Sequence, residues 1–161
     1  MSFLHHFDAA DASRLLNPSV FYVGASYGGS ECQLSRFIQN GIWENGYIKD
    51  PQPSAATSLY EQYMDIMSKG DILLVKRLNG KASNTMRIMA IGIVLGKNID
   101  KTVRVAWVMP QLDIVVPLVT VGTISPSYPL SSVLVDTVRD KIEKARSKFL
   151  RLNLKIEDRW Y

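Results

Sequence analysis

One cysteine in 161 residues, Cys32, has no partner for an internal disulfide, so packing must hold the chain together and a reducing compartment suits it. Histidine is almost as scarce: His5 and His6 are the two present, both at the N-terminus. A Cys–His nucleophile pair is therefore not expected, and neither is a metal site, which needs clustered imidazoles, thiolates or carboxylates. Asp136 and Asp140 are a helix-spaced carboxylate pair, which reads as a solvated face rather than as acid–base machinery. No catalytic residue, metal or other cofactor is expected, and the chain does not read as an enzyme. Long apolar runs are missing too: the stretch Ile88 to Leu95 is short and holds Gly92. The opening MSFLHHFDAADAS has neither a basic nor an apolar leader segment, so the expectation is a cytoplasmic protein without a membrane partner.

Charge of one sign is nearly absent from most of the chain. The net charge is +4, but eight of the 19 Lys and Arg and five of the 15 Asp and Glu lie in 136–161. The first 135 residues hold 11 cations against 10 anions, so a polycation that coats any duplex is excluded. Hydrophobic residues make up 47% of a chain long enough for one core-forming domain.

What is present is a succession of β-branched runs among short helices. DAADASRLLN (8–17) reads as a helix stopped by Pro18, and Val20 to Ala25 as a strand. Ser30-Glu31-Cys32-Gln33 fits a capping box that would open a helix at Ser30, with Asn40-Gly41 as its stop. Ala55 to Ser68 reads as a second helix. Asp71 to Leu78 is a strand entered through a Gly70-Asp71 turn, followed by strands over 86–95, 103–109 and 114–124, the last interrupted by Pro117. Gly92 inside its apolar run marks a bulge or a close backbone crossing. From Ser132 to Leu152 apolar residues recur as Val135, Val138, Ile142, Ala145, Phe149 and Leu152, a helical seam that can pack on its own domain or pair with another. The expected class is α+β: a small curled β-barrel with peripheral helices over 1–130 and a C-terminal amphipathic helix over 131–161.

The motif most suggestive of a ligand is VFYVGASYGGSECQLSRFIQNGIWENGY (20–47), a strand, a glycine-rich loop and a helix. Gly24-x4-Gly29-Ser30 imitates a phosphate loop, but Ser30 stands where the lysine belongs and Glu31 follows. Gly80-Lys81 has Val75 in place of the first glycine, so nucleotide hydrolysis is disfavoured. Aromatic residues remain. Trp43 lies between Gly41 and Gly46, Tyr27 sits inside the glycine loop, and Tyr47 follows closely; each is open between core and a stacking face, worth about 1–3 kcal/mol per base. Trp107, in mid-strand, reads as core.

YVGASYGG, RFIQNGIWENGY, SKGDILLVKR, AIGIV and VRVAWV, in that order, resemble the EVE/YTH-like branch of the PUA superfamily. The nearest form is the N-terminal recognition domain of Mcr-type, modification-dependent restriction GTPases, and the similarity spans roughly residues 20–124. The resemblance implies a compact barrel that takes an extruded, modified base between aromatic rings, in a restriction or defence setting, with any effector or motor as a separate partner. It makes Trp43 one cage wall and Ser26, Tyr27 and Ser30 the polar readers. Where relatives carry a second cage tryptophan this chain has LGKNIDKT, so that wall is missing or supplied by Tyr27, Tyr47 or another residue. Asn45 belongs to the same candidate surface. Lys76 and Arg77 are placed to meet flanking phosphates, with Arg36 and Lys97 behind them. The expected ligand is nucleic acid, DNA ahead of RNA. The alternative is a protein-interaction module that keeps the barrel, has no nucleic-acid ligand, and forms a homodimer or docks through the C-terminal helix.

Overall fold

The computed structural model describes residues 16–27, 31–46, 55–80 and 83–158. The chain is α+β: among the described residues there are a seven-stranded mixed sheet, a two-stranded hairpin and three α-helices. The strands of the main sheet are β1 (Ser19–Gly24), β4 (Ile42–Trp43), β5 (Ile72–Leu78), β6 (Thr85–Lys97), β7 (Val103–Met109), β8 (Ile114–Pro117) and β9 (Tyr128–Pro129). β2 (Ser26–Tyr27) and β3 (Glu31–Cys32) form the hairpin, and the helices are α1 (Leu34–Asn40), α2 (Ala55–Asp65) and α3 (Asp136–Asp158). None of the helices is long and apolar enough, over the described residues, to cross a membrane.

Strand order is β4-β7-β6-β5-β1-β9, with β8 also on β6. β1 runs parallel to β5, Val20 to Gly24 against Ile72 to Lys76; every other pairing in the sheet is antiparallel. β6 organises the whole. One of its edges carries β5, while the other is shared, with β8 on Thr85–Ile88 and β7 on Ile91–Lys97. Register shifts at Val75/Lys76, Ile91/Ile93 and Val94/Gly96 bend it. At Gly92 an added Cβ would overlap Val105 Cγ1 and lie 2.9 Å from Trp107 Cε3, so the glycine marks both a bulge and a close crossing. Among the described residues the sheet is not closed, with β4 and β9 as its edges, so the expected barrel is not confirmed. Both edge strands are only two residues long, too short to extend a closing ladder.

Period-two alternation splits the apolar residues between two faces. On the first lie Val20, Tyr22, Ile72, Leu74, Ile88 and Ile91, covered by Val138, Ile142, Ala145 and Phe149 of α3. On the second lie Phe21, Val23, Leu73, Val75 and Val94, covered by Phe37 of α1, Trp43, and Met64 and Met67 at and after the end of α2. Burial on both sides is why β5 and β6 read as nearly continuous apolar runs. The seam of α3, as far as Phe149, is thus occupied by its own sheet, so those positions are not available for the expected homodimer or docking contact.

Other expectations need adjusting. The helix placed at Ser30 begins at Leu34, with Gln33 at its N-cap and no side-chain capping bond, because 31–32 pair with 26–27 instead. Gly41 does stop it, in a left-handed conformation at φ 62°. The strand expected over 114–124 ends at Pro117, leaving one bridge, Val23 to Ile124. The helix expected over 8–17 falls almost wholly outside the described residues. The Gly70-Asp71 turn is present, Gly70 at φ 92°. Fully buried Asp71 accepts hydrogen bonds from Ser19 N at 3.0 Å and Ser68 N at 2.8 Å, so one carboxylate ties the starts of the two parallel strands.

Candidate functional site

β1 ends at Gly24, and that residue is held from two sides. Its N–H donates to Thr123 O at 2.8 Å, and its carbonyl accepts from Trp43 Nε1 at 2.9 Å. One residue on, Ala25 O accepts from Gln33 N at 2.6 Å and closes the loop that bears the β2–β3 hairpin. The glycine-rich segment therefore leaves the sheet from a fixed root and returns to α1 through a fixed exit.

Trp43 is the fixing element and not a free platform. Gly41 turns the end of α1 into β4, whose two residues pair with Arg104 and Val103 on β7. That pairing leaves Ile42 half-buried and drives Trp43 inward, where its side chain is 0% exposed among Phe21, Val23, Ala25 and Phe37. A buried indole needs a partner for its N–H, and the Gly24 carbonyl supplies it. The expected stacking face at Trp43 is corrected accordingly. Trp107 is half-buried and adds a second indole tether, its Nε1 donating to Phe37 O and Ile42 O at 3.1 Å each.

The rest of GIWENGY supports the same scaffold. Glu44, 6% exposed, receives Arg36 Nη2 at 2.8 Å, while Arg36 Nε bonds Gln33 Oε1 and the guanidinium lies 5.0 Å from the Phe37 ring centroid. Asn45 is fully buried as well, so it does not present a binding surface. No family model, no curated protein and no solved structure matches this chain.

The expected cations fare unequally. Arg36 is committed to Glu44, and Lys97 Nζ donates to Met64 O and Asp65 O, capping the C-terminal end of α2. Lys76 is corrected too. It lies in register with Gly24 on β1 and Ile88 on β6, only 7% exposed, and its ammonium makes no hydrogen bond or ion pair among the described residues. Burial without a counter-ion lowers its pKa from 10.5 to about 8. Arg77, the next residue, is exposed. Ser26 is exposed on the hairpin; the side chain of Tyr27, and all of Ser30 and Tyr47, lie outside the described residues.

The loop's second anchor had no signal in the sequence. Ser125, fully buried, donates its N–H to Tyr22 O, accepts Tyr22 N on Oγ at 2.9 Å, and donates that hydroxyl to Pro126 O. Together with Thr123 it locks the last three residues of β1 from the far end of the chain.

Proposed function

We propose that this chain is a nucleic-acid-binding reader domain, with the β2–β3 hairpin as its reading element and a flipped, modified base, in DNA ahead of RNA, as its ligand. The supporting observation is the bond from the Trp43 indole to the Gly24 carbonyl. It holds the root of a glycine-rich segment in place, and a fixed root lowers the entropy lost when the segment meets a ligand. Trp43 then works beneath the loop, and stacking passes to Tyr27 and Tyr47, with Ser26 and Ser30 reading base edges and Arg77 meeting a phosphate. Unstacking a base costs a few kcal/mol, which stacking within such a loop offsets. The finer fold reading, an EVE/PUA-like curled sheet equivalent to the relatives' barrel, belongs to the same proposal, as does a separate effector protein acting after recognition.

One observation favours the second reading, a protein-interaction module without a nucleic-acid ligand. Of the four cations assigned to phosphates, Arg36 and Lys97 are engaged and Lys76 is buried. The two readings separate in one titration of fluorescent oligonucleotides, DNA and RNA, unmodified and base-methylated. The reader requires saturable binding that Tyr27→Ala and Arg77→Ala each weaken tenfold or more while leaving the melting temperature within a few degrees. With so few cations available, log K should fall with log salt at a slope of roughly −1 to −2. No binding by any oligonucleotide at low salt, where phosphate contacts are strongest, overturns the reader and leaves the interaction module.

A further inference from the structure

β5 and β6 set two like charges face to face. Arg77 and Arg87 are partners in the antiparallel register, so both side chains leave the same face of the sheet, with Cβ atoms about 4.5–5.5 Å apart. Met86 and Ile88, on either side of Arg87, belong to the core beneath α3, so the pair stands on the opposite face, the one that holds Trp43. It lies one residue past Lys76, the register partner of Gly24, and so beside the root of the glycine-rich segment. Like charges directly opposite each other destabilise a sheet. Only one of the two is compensated. Arg87 Nε donates to Asn79 Oδ1 at 2.9 Å and its Nη1 ion-pairs with Asp113, while Asn79 Nδ2 is itself tied to Thr85 Oγ1 at 2.9 Å. Arg77 is exposed and has no hydrogen bond or ion pair among the described residues.

We propose that Arg77 and Arg87 together form a clamp for one phosphodiester, whose two free oxygens bridge the guanidiniums and offset their repulsion. For the polymer that carries the phosphate, the proposal rests on the reader described above: it is the linkage beside the flipped base. Guanidinium forks match phosphate oxygens through paired, charge-assisted hydrogen bonds. Arg87 is oriented in advance by Asn79 and Asp113, and its Nη2 makes no bond among the described residues. A donor already held in place loses less entropy when it meets its ligand. Two arginines less one aspartate leave a net charge of +1, which a singly charged diester neutralises and a dianionic monoester overshoots. Arg87 thereby gains a role as the second phosphate ligand, next to Arg77.

The test uses the full chain and follows the arginine Nε–Hε signals by NMR at constant ionic strength. Sodium dimethyl phosphate should shift Arg77 and Arg87 together and saturate, while neutral trimethyl phosphate should leave both in place. Arg87→Gln should weaken the response of Arg77 several-fold. Asp113→Asn keeps an oxygen for Arg87 but removes a negative charge, and should tighten dimethyl phosphate several-fold. With oligonucleotides, Arg77→Gln and Arg87→Gln should each weaken binding tenfold or more, and the double variant little further, because both act on one phosphate. Saturation by dimethyl phosphate in a chain that binds no oligonucleotide leaves the clamp standing and overturns the reader. Oligonucleotide binding that Arg87→Gln leaves unchanged overturns the clamp and leaves the reader. So would shifts that never saturate, an equal response to the neutral ester, all arginines moving alike, or methyl phosphate binding tenfold more tightly than the diester.

Discussion

Replacing Lys76 by methionine should make the protein more stable, against the usual direction of core mutations. The Lys76 side chain is only 7% exposed and has no counter-charge among the described residues, and its pKa of about 8 in the fold compares with 10.5 for a free lysine. Between those two values the unfolded chain holds a proton that the folded chain has released. Stability of the wild type therefore rises with pH across that window, and the penalty is fully present below pH 8. Each pKa unit corresponds to about 1.4 kcal/mol, so the penalty is on the order of 3 kcal/mol at pH 7, 2 at pH 9 and 1 at pH 10. Methionine keeps the apolar stem and removes the charge, so Lys76→Met should gain up to that amount at pH 7, or roughly 6–12 °C in melting temperature. Urea unfolding of both proteins between pH 6 and 9.5, with the difference taken at each pH, cancels groups that titrate alike in both. Tyr22, the titratable neighbour on the same face, is shifted upward and stays out of this range. A variant that is less stable at pH 7, or a gain that does not shrink as pH rises past 8, would refute the reasoning.

Trp43→Phe removes the indole N–H and leaves the buried Gly24 carbonyl without that donor; a loss of about 1–3 kcal/mol is expected in urea unfolding, with faster amide exchange in residues 25–33. Trp43→Ala adds a cavity and should lose about 3–5 kcal/mol, so an alanine variant as stable as the wild type would mean that the ring is not in the core. Gly92→Ala forces a methyl into Val105 and Trp107, and should lower stability by about 1–3 kcal/mol with the largest NMR shifts on β7. Asp71→Ala unties Ser19 and Ser68 and should lose about 2–4 kcal/mol, with the β1 amides the first to exchange.

Much of the sheet was readable in advance. β1, β5 and β7 stand out as β-branched runs, the Gly70-Asp71 turn and the Gly41 stop as local backbone chemistry, and Gly92 as an interruption in an apolar run. These features are set by neighbours within a few residues. The fate of Trp43 is not: β4 has two residues, too few to show a period, and what turns the indole inward is pairing with Val103 sixty positions later. Lys76 ends a run that looks like a strand emerging into solvent, and its burial depends on the segments that arrive over that face. The false capping box has a similar cause, since Ser30 to Gln33 satisfies the local rule but residues 31–32 find partners across the glycine turn. The Ser125 clamp is invisible because a serine and a threonine in a segment of strand-like composition carry no sign of a backbone partner a hundred residues earlier.

The placement of β1 sets an order of assembly. β5 to β8 join neighbours close along the chain, so that meander can form as soon as it leaves the ribosome. The first strand has no such neighbour: its contacts to Asp71 and Ser125 span 52 and 103 residues. It must wait, uncovered, until β5 follows it, and its second anchor comes only with Ser125. An apolar hexapeptide in a nascent chain, held idle for that interval, is where a chaperone would have most to protect and where misassembly would begin.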